Sequence, residues 1–397
     1  MDIQIWVCRD NMYKTNNVPL KNVFEDDFWI MPATPKYIDK GIPYITSKNI
    51  RKGEIDFTNV NYISEKDYYT ISKNRPIKNN DILISMIGTL GETAVVNNNV
   101  KFYGQNMFCI RLDKNKIDQR YFLNYFSSDK VKRNILGKRN KSTQSYLKAN
   151  HIEELLIPLP DLEIQKSISS KLDKVRDILN KKEKQLKLLD SLIKSRFIEL
   201  FGDGSYPQIP LIQLIVEGAG LSYGIIVPGD NVEDGVPMVR PSDFNNGELC
   251  LDNVYRVAPE IEVKYTRTRL IGNEILVQVI GQPGQIMLSD SRCKGMNVTR
   301  NLAVVRPDCN RINRIYLKTY MQSQEAQAFM LGETKQSTLK QLPLSRLKEL
   351  EIPVPPMELQ EEFAAFVEQT DKSKVALQKS IDELQQLFDS LMQEYFG

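Results

Sequence analysis

A stretch from Leu162 to Phe201 constrains the fold of this chain more than any other feature. Its apolar residues recur about every 3.5 residues and fall on two neighbouring positions of a heptad, which we call the seam. On this stretch the seam consists of Ile168, Leu172, Val175, Leu179, Leu186, Leu189, Ile193 and Leu200. The pattern predicts one helix of roughly 60 Å at about 1.5 Å per residue, longer than most helices buried in a single globular domain. We therefore expect a second helix to cover the seam.

A second helix with the same pattern lies in the same chain, 195 residues further on. Its seam consists of Phe363, Val367, Leu377, Ile381, Leu384, Phe388, Leu391 and Tyr395. Two lysines interrupt the seam, Lys182 in the first stretch and Lys374 in the second, and polar seam residues usually set pairing and register at a cost in stability. Two separate amphipathic helices, each packed on its own domain, are the alternative, but a seam of this length and period favours a supercoiled pair.

The repeat extends beyond the helices. The segment GIPYITSKNIRKGEI, which begins at Gly41, corresponds to GVPMVRPSDFNNGEL, which begins at Gly235. In the same way NDILISMIGTLGE, from Asn80, corresponds to NEILVQVIGQPGQ, from Asn273. Short apolar runs followed by glycine turns are typical of strands joined by a tight reversal, so we expect a mixed α/β domain in each half.

The repeat also suggests where the domains begin and end. From about Gln105 the two halves align without a gap at an offset of 195 residues, and both copies end in Phe-Gly. We predict a globular domain at 1–156, a helix at 157–202, a second globular domain at 203–351 and a second helix at 352–397. An Ile-Pro-x-Pro phrase stands at each junction, where proline suits the entry to a helix and cannot continue a strand ladder.

Composition excludes several kinds of function. The five cysteines are odd in number and widely spaced, and His151 is the single histidine, so a structural zinc site is not expected. The sequence shows no signal-peptide pattern and no long apolar stretch, and we expect a cytoplasmic protein with reduced thiols. A net charge of +3 argues nothing by itself, so any contact with nucleic acid depends on where the charges lie.

These features together resemble a known family. Two globular domains, each followed by IPLPDLEIQ (157–165) or IPVPPMELQ (352–360) and then by a long heptad helix, look like the specificity subunit of type I restriction-modification enzymes. The endings LDSLIKSRFIELFGD and FDSLMQEYFG strengthen the resemblance, which covers essentially the whole chain. The second helix lacks the full SRFIELFGD ending, and the first 18 residues match nothing in the second half.

The resemblance implies a fold and a set of partners. The implied fold is α+β, with two mixed α/β target recognition domains in tandem, joined and followed by two long helices that form an antiparallel coiled coil. It implies that each domain reads one half of a split target in double-stranded DNA, while modification (methyltransferase) subunits, two of them, dock on the chain. Restriction (endonuclease and translocase) subunits are further expected partners in some complexes. The resemblance places S-adenosylmethionine in the modification subunit and ATP with Mg in the restriction subunit, and no cofactor on this chain.

Catalytic motifs are missing from the sequence. It contains neither the Asn/Asp-Pro-Pro-aromatic motif of an amino-methyltransferase nor a GxxxxGK[ST] phosphate loop. Pro160, Asp161 and Glu163 loosely resemble the start of a nuclease metal site, but acidic residues at a helix start are explained by the helix dipole. We therefore predict no catalytic residue, no metal ligand and no enzyme activity of the chain itself.

Basic and polar segments supply the candidate DNA contacts. The chain from Lys130 to His151 is basic without an acidic residue, and its KRNKSTQ segment adds hydroxyl and amide groups that can reach phosphates or base edges. The candidates in this half are Lys132, Arg133, Lys138, Arg139, Lys141, Ser142, Thr143 and Gln144. Those in the second half are Arg267, Arg269, Arg292, Lys294, Arg300, Lys335, Gln336, Ser337, Thr338 and Lys340. A solvated basic helix end and loop is the alternative reading of the first run.

Two further expectations concern how the target is read. The glycine turns at 85–92 and 278–285 are hairpin tips that could approach a DNA groove, although turn geometry alone also explains glycine there. Two domains with one framework and different loops predict an asymmetric target of two short blocks around a nonspecific spacer. A specificity component of a fused methyltransferase-nuclease system and a coiled-coil scaffold without a DNA role remain alternatives.

Overall fold

The computed structural model describes residues 16–26, 29–31, 35–51, 53–97, 100–137, 146–202, 205–245, 248–332 and 341–397. The chain forms two compact units. The first unit consists of residues 1–183 and 379–397, and the second consists of residues 184–378. Each unit therefore contains one globular region and a part of both long helices.

The regular elements of the first half alternate between short strands and helices. The strands are β1 (Asn17–Pro19), β2 (Trp29–Ile30), β3 (Ile42–Ile45), β4 (Ile50–Arg51), β5 (Glu54–Ile55), β6 (Asn61–Ile63), β7 (Ile82–Ser85), β8 (Thr93–Val95), β9 (Tyr103–Gly104), β10 (Met107–Ile110) and β11 (Leu156–Pro158). The helices are α1 (Glu65–Ser72), α2 (Gln119–Phe126), α3 (Asp129–Gly137), α4 (Ala149–Glu153) and α5 (Leu162–Phe201).

The second half contains a similar series of elements. The strands are β12 (Gln208–Pro210), β13 (Ser222–Tyr223), β14 (Val236–Val239), β15 (Phe244–Asn245), β16 (Glu248–Leu249), β17 (Tyr255–Val257), β18 (Ile275–Gln278), β19 (Ile286–Leu288), β20 (Asn297–Val298), β21 (Leu302–Val305) and β22 (Glu351–Pro353). The helices are α6 (Pro259–Glu262), α7 (Arg314–Met321), α8 (Gln324–Leu331), α9 (Leu344–Lys348) and α10 (Met357–Phe396).

The two units share one strand topology. Each has a four-stranded antiparallel sheet, ordered β2-β10-β7-β8 in the first unit and β13-β21-β18-β19 in the second. Each also has a three-stranded sheet, β6-β3-β9 or β17-β14-β20, in which the β3–β9 and β14–β20 pairs are parallel. All residues of β7, β10, β18 and β21 are buried, as expected for apolar strands covered on both faces. The mixed α/β domains predicted from the repeat are confirmed.

The glycine turns join β7 to β8 and β18 to β19. Gly88 and Gly91 have φ angles of 75° and 80°, which favour glycine. A Cβ atom at Gly91 would lie 3.2 Å from the side chain of Ile135 in α3, and one at Gly284 would lie 2.7 Å from that of Gln327 in α8. Backbone geometry and helix packing therefore account for these glycines, and their approach to DNA stays a prediction.

The two long helices pair in antiparallel fashion within each unit. In the first unit, the guanidinium group of Arg176 in the first half of α5 lies 5.3 Å from the ring centroid of Phe388 in the second half of α10. In the second unit, Asp190 in the second half of α5 forms a 2.8 Å ion pair with Lys374 in the first half of α10. The predicted pair of long antiparallel helices is thereby confirmed.

Burial along the helices follows the heptad. The residues that we assigned to the seam are all buried or half-buried. Several apolar residues off the seam are exposed, with exposed fractions of 58% for Leu188, 67% for Ile198 and 58% for Val375. The seam residue Lys374 is compensated by Asp190 and also by Asp371, at 3.1 Å. The lysine on the seam of the second helix is thus paired rather than left unsatisfied.

The heptad stretch from Leu162 to Phe201 coincides with α5, but the predicted segment boundaries lie before the helices themselves. The predicted helical segments start at residues 157 and 352, whereas α5 and α10 start at Leu162 and Met357. The intervening residues begin as strands, because β11 pairs with β1 and β22 pairs with β12. The prolines of the Ile-Pro-x-Pro phrase end these short edge ladders before the helices start. The division of the chain into recognition domains and helices otherwise stays a prediction.

A buried glutamine explains why the junction phrase is repeated. The side-chain oxygen of Gln165 accepts a hydrogen bond from the backbone N–H of Asp118 at 2.8 Å. Its amide group donates to the carbonyls of Lys116 and Pro160 at 3.0 and 2.7 Å. In the second unit Gln360 makes two of these contacts, accepting from the N–H of Asn313 and donating to the carbonyl of Pro355. One buried side chain thereby ties the start of each long helix to the start of α2 or α7.

The Phe-Gly ending of each copy is also a structural feature. Phe396 is 1% exposed, and its ring lies 5.1 Å from that of Tyr121 and 5.9 Å from that of Tyr125. In the second unit Phe201 lies 4.8 Å from the ring of Tyr316. The end of each long helix thus completes an aromatic core under α2 or α7.

We expect Phe396→Ala to lower the free energy of unfolding by about 3–5 kcal/mol, because a buried aromatic side chain is replaced by a cavity. Urea unfolding measures the loss, and hydrogen exchange should show it in α2 and not in α7. Leu387→Ala, on the same helix at a residue that is 41% exposed, is the control. Equal urea midpoints for the two variants would contradict the assignment of Phe396 to the core.

Candidate nucleic-acid interface

Many of the predicted DNA contacts lie outside the described residues. These are Lys138, Arg139, Lys141, Ser142, Thr143, Gln144, Lys335, Gln336, Ser337, Thr338 and Lys340. The described residues that follow them occupy corresponding places in the two units. The N–H of Leu147 donates to the carbonyl of Met86 at 2.9 Å, and the N–H of Leu342 donates to the carbonyl of Val279 at 2.8 Å. In both units the chain therefore passes beside the glycine turn before α4 or α9 begins.

Lys132 and Arg133 lie on the exposed face of α3. The opposite face of this helix carries the buried residues Val131 and Ile135. The Nζ of Lys132 is 3.9 Å from the carboxylate of Asp129, a distance at the limit of an ion pair. An exposed pair of this kind contributes little to stability, so both cations remain available to an anionic partner.

Arg269 belongs to a polar network within the second unit. Its guanidinium group donates to both carboxylate oxygens of Glu262, at 2.9 and 2.5 Å. Glu262 is 2% exposed and also accepts a 2.9 Å hydrogen bond from the amide of Asn297, which in turn accepts one from Thr268. The hydrogen bonds from Arg269 lower the pKa of Glu262 although burial acts to raise it. One edge of the Arg269 guanidinium is therefore committed to holding this network.

Arg292 is similarly engaged. Its Nε and Nη2 atoms donate to both carboxylate oxygens of Asp290, at distances from 2.7 to 3.1 Å. The pair is exposed, which limits its contribution to stability. Asp290 neutralises much of the positive charge of Arg292, which was predicted to contact DNA. The role of Arg292 in binding stays a prediction.

The remaining second-unit candidates are exposed cations. Arg267, Lys294 and Arg300 are all exposed. Lys294 and Arg269 line an open depression of about 560 Å³ together with residues such as Thr266 and Ile271. Arg300 lies between β20 and β21. Its backbone N–H donates to the carbonyl of Ile225 at 2.9 Å, and this is its one hydrogen bond to the described part of the chain. Its guanidinium group is thus open to a partner.

The arginine that the repeat preserves has a structural role. Arg111 donates to both carboxylate oxygens of the buried Asp81, at 2.8 and 2.9 Å, and also pairs with Asp26. The corresponding Arg306 pairs with the buried Glu274 at 3.3 Å. Repetition of this residue reflects one internal ion pair in each unit, and it is not a sign of DNA contact.

Arg306 also fixes the loop that carries two candidate residues. It donates from Nη1 to the carbonyl of Arg267 at 2.9 Å and from Nη2 to that of Arg269 at 2.5 Å. Arg306 therefore connects Glu274, the residue before β18, to the end of the 3-10 helix Val263–Thr268 and to Arg269, which follows it. A buried charge pair of this kind positions the loop as well as filling the core.

A polar groove in the first unit was missed in the sequence. It has a volume of about 370 Å³ and is lined by Tyr37, Thr46, Ser47, Lys48, Asn49, Asn59, Asn61, Ile87, Gln105 and Asn106. The 3-10 turn Ser47–Asn49 forms one side, and the turn from β9 to β10 forms another. The candidate contacts were selected from basic segments of the sequence. That criterion does not detect a surface whose lining is mostly uncharged and polar. The available signal was the change from Thr46 to Arg240 between otherwise corresponding segments.

Neither a metal centre nor a membrane span is found in the part of the chain that the structure describes. No group of three or more His, Cys, Asp or Glu side chains is placed there to hold a metal ion. None of the described helices is long and apolar enough to cross a membrane. The predicted DNA contacts among the described residues are exposed basic side chains, and their role in binding stays a prediction.

This chain belongs to a family of DNA specificity proteins. The family described as type I restriction modification DNA specificity domain matches residues 17–188 and 229–386. The two matches fall on the two halves of the repeat. The family resemblance predicted from the junction phrases and heptad helices is therefore confirmed.

Known proteins of this class are similar over most of the chain. It is 24% identical over 374 residues to the type I restriction enzyme EcoBI specificity subunit of Escherichia coli, covering 86% of this chain and 76% of the relative. The S subunit of a type I restriction-modification system from M. genitalium matches with a TM-score of 0.58 and 17% identity, covering 98% of each chain. A chain from a structure concerned with complex assembly and conformational transition of the type I R-M system matches with a TM-score of 0.62 and 18% identity, covering 97% of this chain and 99% of that one. These structures show the fold.

The buried Glu274 gives the second unit an expected response to acid. Burial raises the pKa of Glu274, but hydrogen bonds from Ser289 and from the backbone N–H groups of Ile271 and Gly272 outweigh burial and hold it below the ordinary value of 4.5. A carboxylate with a lowered folded-state pKa stabilises the fold fully above its unfolded-state pKa. That stabilisation is lost as the pH falls through the folded-state pKa.

We therefore expect the unfolding free energy of the wild type to decrease as the pH is lowered below about 4.5. Glu274→Gln should be less stable at pH 7 and should lack this part of the acid dependence. Urea titrations between pH 3 and pH 7 measure both effects, with Glu260→Gln, at an exposed residue of α6, as control. Identical acid dependence of wild type and Glu274→Gln would show that this carboxylate does not stabilise the second unit.

Proposed function

We propose that this chain is the non-catalytic DNA-reading subunit of a type I restriction-modification complex, and that it reads an asymmetric target of two separate blocks. The observation that carries this proposal is the repeated strand topology with different polar side chains on corresponding loops. One framework can present two different sets of contacts, so one domain reads each half-site. A two-domain reader of this kind requires no catalytic group of its own.

The long helices set the spacing between the half-sites in this proposal. Each helix has 40 residues and contributes residues to both units. Half-sites contacted from one face of B-DNA lie about one helical turn apart, roughly 34 Å centre to centre. A helix of about 60 Å is long enough to hold two domains at that separation.

Modification subunits are the proposed protein partners, two to each chain. The antiparallel pair exposes apolar side chains that the seam does not use, and these side chains are available for contact with a partner subunit. These residues are Ile178, Leu188, Leu192, Ile198, Val375 and Leu387. Within the complex, S-adenosylmethionine binds to the modification subunits, and a restriction subunit, where present, uses ATP and Mg. Assembly of this kind places the complex in the cytoplasm with the DNA.

A methylation map tests the proposed function directly. Cells carrying the cognate modification subunit are sequenced by a single-molecule method that detects methylated bases, with and without this chain. We expect one split motif to be methylated only when the chain is present, because the chain supplies the sequence specificity. An unchanged map, despite a complex that co-purifies, would overturn the proposal and favour a scaffold role. Methylation by the purified chain alone would instead make it an enzyme.

Lengthening the helices tests the spacing. Heptads are inserted in pairs, after Glu183 in α5 and after Gln378 in α10, so that the seam stays in register. Each heptad adds about 10.5 Å. Three add about 32 Å, close to one DNA turn of roughly 34–36 Å, and should restore the phase of the two half-sites. We expect a longer spacer with both blocks unchanged. A changed block with the original spacer would count against this model.

A further inference from the structure

The elements that line the groove of the first unit have counterparts in the second unit. In the first unit the groove lies among the turn Ser47–Asn49, strand β6, the glycine-turn residue Ile87 and the link from β9 to β10. The corresponding elements in the second unit are the turn Pro241–Asp243, strand β17 and the link from β20 to β21. Strand pairing fixes the correspondence, since Asn61 pairs with Tyr44 as Tyr255 pairs with Met238.

The backbone of this surface is held in the same way in both units. The N–H of Asn49 donates to the carbonyl of Thr46 at 2.9 Å, and the side-chain oxygen of Asn49 accepts from the N–H of Thr46 at 2.9 Å. In the second unit Asp243 and Arg240 form the same two contacts, at 3.0 and 2.8 Å. Because the turn is held by this pair, the neighbouring exposed side chains can differ without altering the framework.

Most side chains that line the groove of the first unit are uncharged amides and hydroxyls; Ile87 is apolar, and Lys48 is the one cation among the lining residues. Asn59 and Asn61 are exposed, and within the described residues neither side chain makes a hydrogen bond inside the protein. Gln105 faces the same groove, 3.4 Å from the hydroxyl of Tyr37. A carboxamide offers a donor and an acceptor side by side, which matches N7 and the N6 amino group of adenine in the major groove.

The counterpart in the second unit is arginine-rich. The guanidinium group of Arg240 lies 5.7 Å from the ring centroid of Tyr255 and donates to Asp243 at 2.7 Å, so it forms part of the support. Arg300, in the link from β20 to β21, is exposed, and its side chain makes no hydrogen bond within the described part of the chain. Arginine forms two parallel hydrogen bonds to O6 and N7 of guanine, the commonest specific contact to a base.

We propose that the groove of the first unit and the corresponding surface of the second unit read bases: Asn61 and Gln105 of the first unit read an adenine, and Arg300 of the second unit reads a guanine. The inference rests on the proposed function and adds to it the residues that discriminate bases and the base that each prefers. In this proposal the basic groups elsewhere on the units bind phosphates. Such contacts fix the position of the protein on the duplex but do not distinguish one base from another.

The experiment combines the methylation map with binding selection from a DNA library in which both blocks are randomised. The complex of this chain with its modification subunit is compared with complexes containing Asn61→Ala or Arg300→Ala. Each variant should lose about 5- to 150-fold of discrimination at one base pair, the fold-change equivalent to roughly 1–3 kcal/mol per good bidentate contact. Asn61→Ala should weaken the preference for an A·T pair at one position of one block only. Arg300→Ala should weaken the preference for a G·C pair at one position of the other block only.

Matched controls separate base reading from charge and folding. Asn115→Ala removes an exposed amide outside the groove, and Lys379→Ala removes an exposed positive charge from α10, so both should leave the motif unchanged. Asn61→Asp, which can only accept hydrogen bonds, should shift the preference at its position toward cytosine, whose N4 donates. This substitution reports on base reading even if truncation of the side chain weakens binding.

The possible outcomes distinguish this inference from the function on which it rests. Absence of any split motif for the wild-type complex would overturn the proposed function. A wild-type split motif that lacks adenine in one block or guanine in the other would overturn the base assignment alone, as would variants with unchanged discrimination. Uniformly weaker binding to all sequences by a folded variant would assign the residue to phosphate contact and also overturn the inference.

Discussion

The structure depends on covering the apolar seams of two 40-residue helices. Leaving such a seam in water would cost roughly 25 cal/mol for each Å² of apolar surface, and no single small domain offers a surface of that length. Antiparallel pairing solves the problem and also brings the end of α10 back to the first domain. There Phe396 enters the core, and Nζ of Lys130 donates to the carbonyl of Gly397 at 3.0 Å. The helices therefore complete the domains as well as connecting them.

Periodic features were predictable from the sequence, and features that depend on distant partners were not. The heptad predicted both helices, and the glycine pairs predicted both hairpins, because each signal is local. The last two residues of β11 and of β22 were assigned to the helical segments, because the Ile-Pro-x-Pro phrase looks like a helix entry until the partner strands β1 and β12 are known. The repeated Arg111 was likewise visible, but its ion pair with Asp81, thirty positions away, became evident only from the fold.

The candidate site shows the same limit more strongly. Charge runs are visible in a sequence, and they drew attention to Arg269 and Arg292, whose guanidinium groups are partly occupied by Glu262 and Asp290. The amides around Asn61 carry no charge and follow no period, so nothing local distinguishes them from ordinary loop residues. Their common surface is created by strand pairing and by the turn at Ser47–Asn49. The surface becomes evident when corresponding positions of the two units are compared.

Divergence between the two copies also favours the pairing of unlike helices. In the repeat, Lys374 of α10 corresponds to Leu179 of α5. If two copies of α5 paired with each other, Leu179 would therefore take the place of Lys374 opposite Asp190, and the ion pair would be lost. The ion pair between Arg196 and Glu362, at 2.6 Å, would likewise be lost, because Ser167 occupies the position that corresponds to Glu362. Each such replacement removes the partner that a half-buried or exposed charge has on the other helix, while the apolar seam is nearly unchanged. The seam therefore supplies the affinity between the helices, and the polar contacts select α10 as the partner of α5.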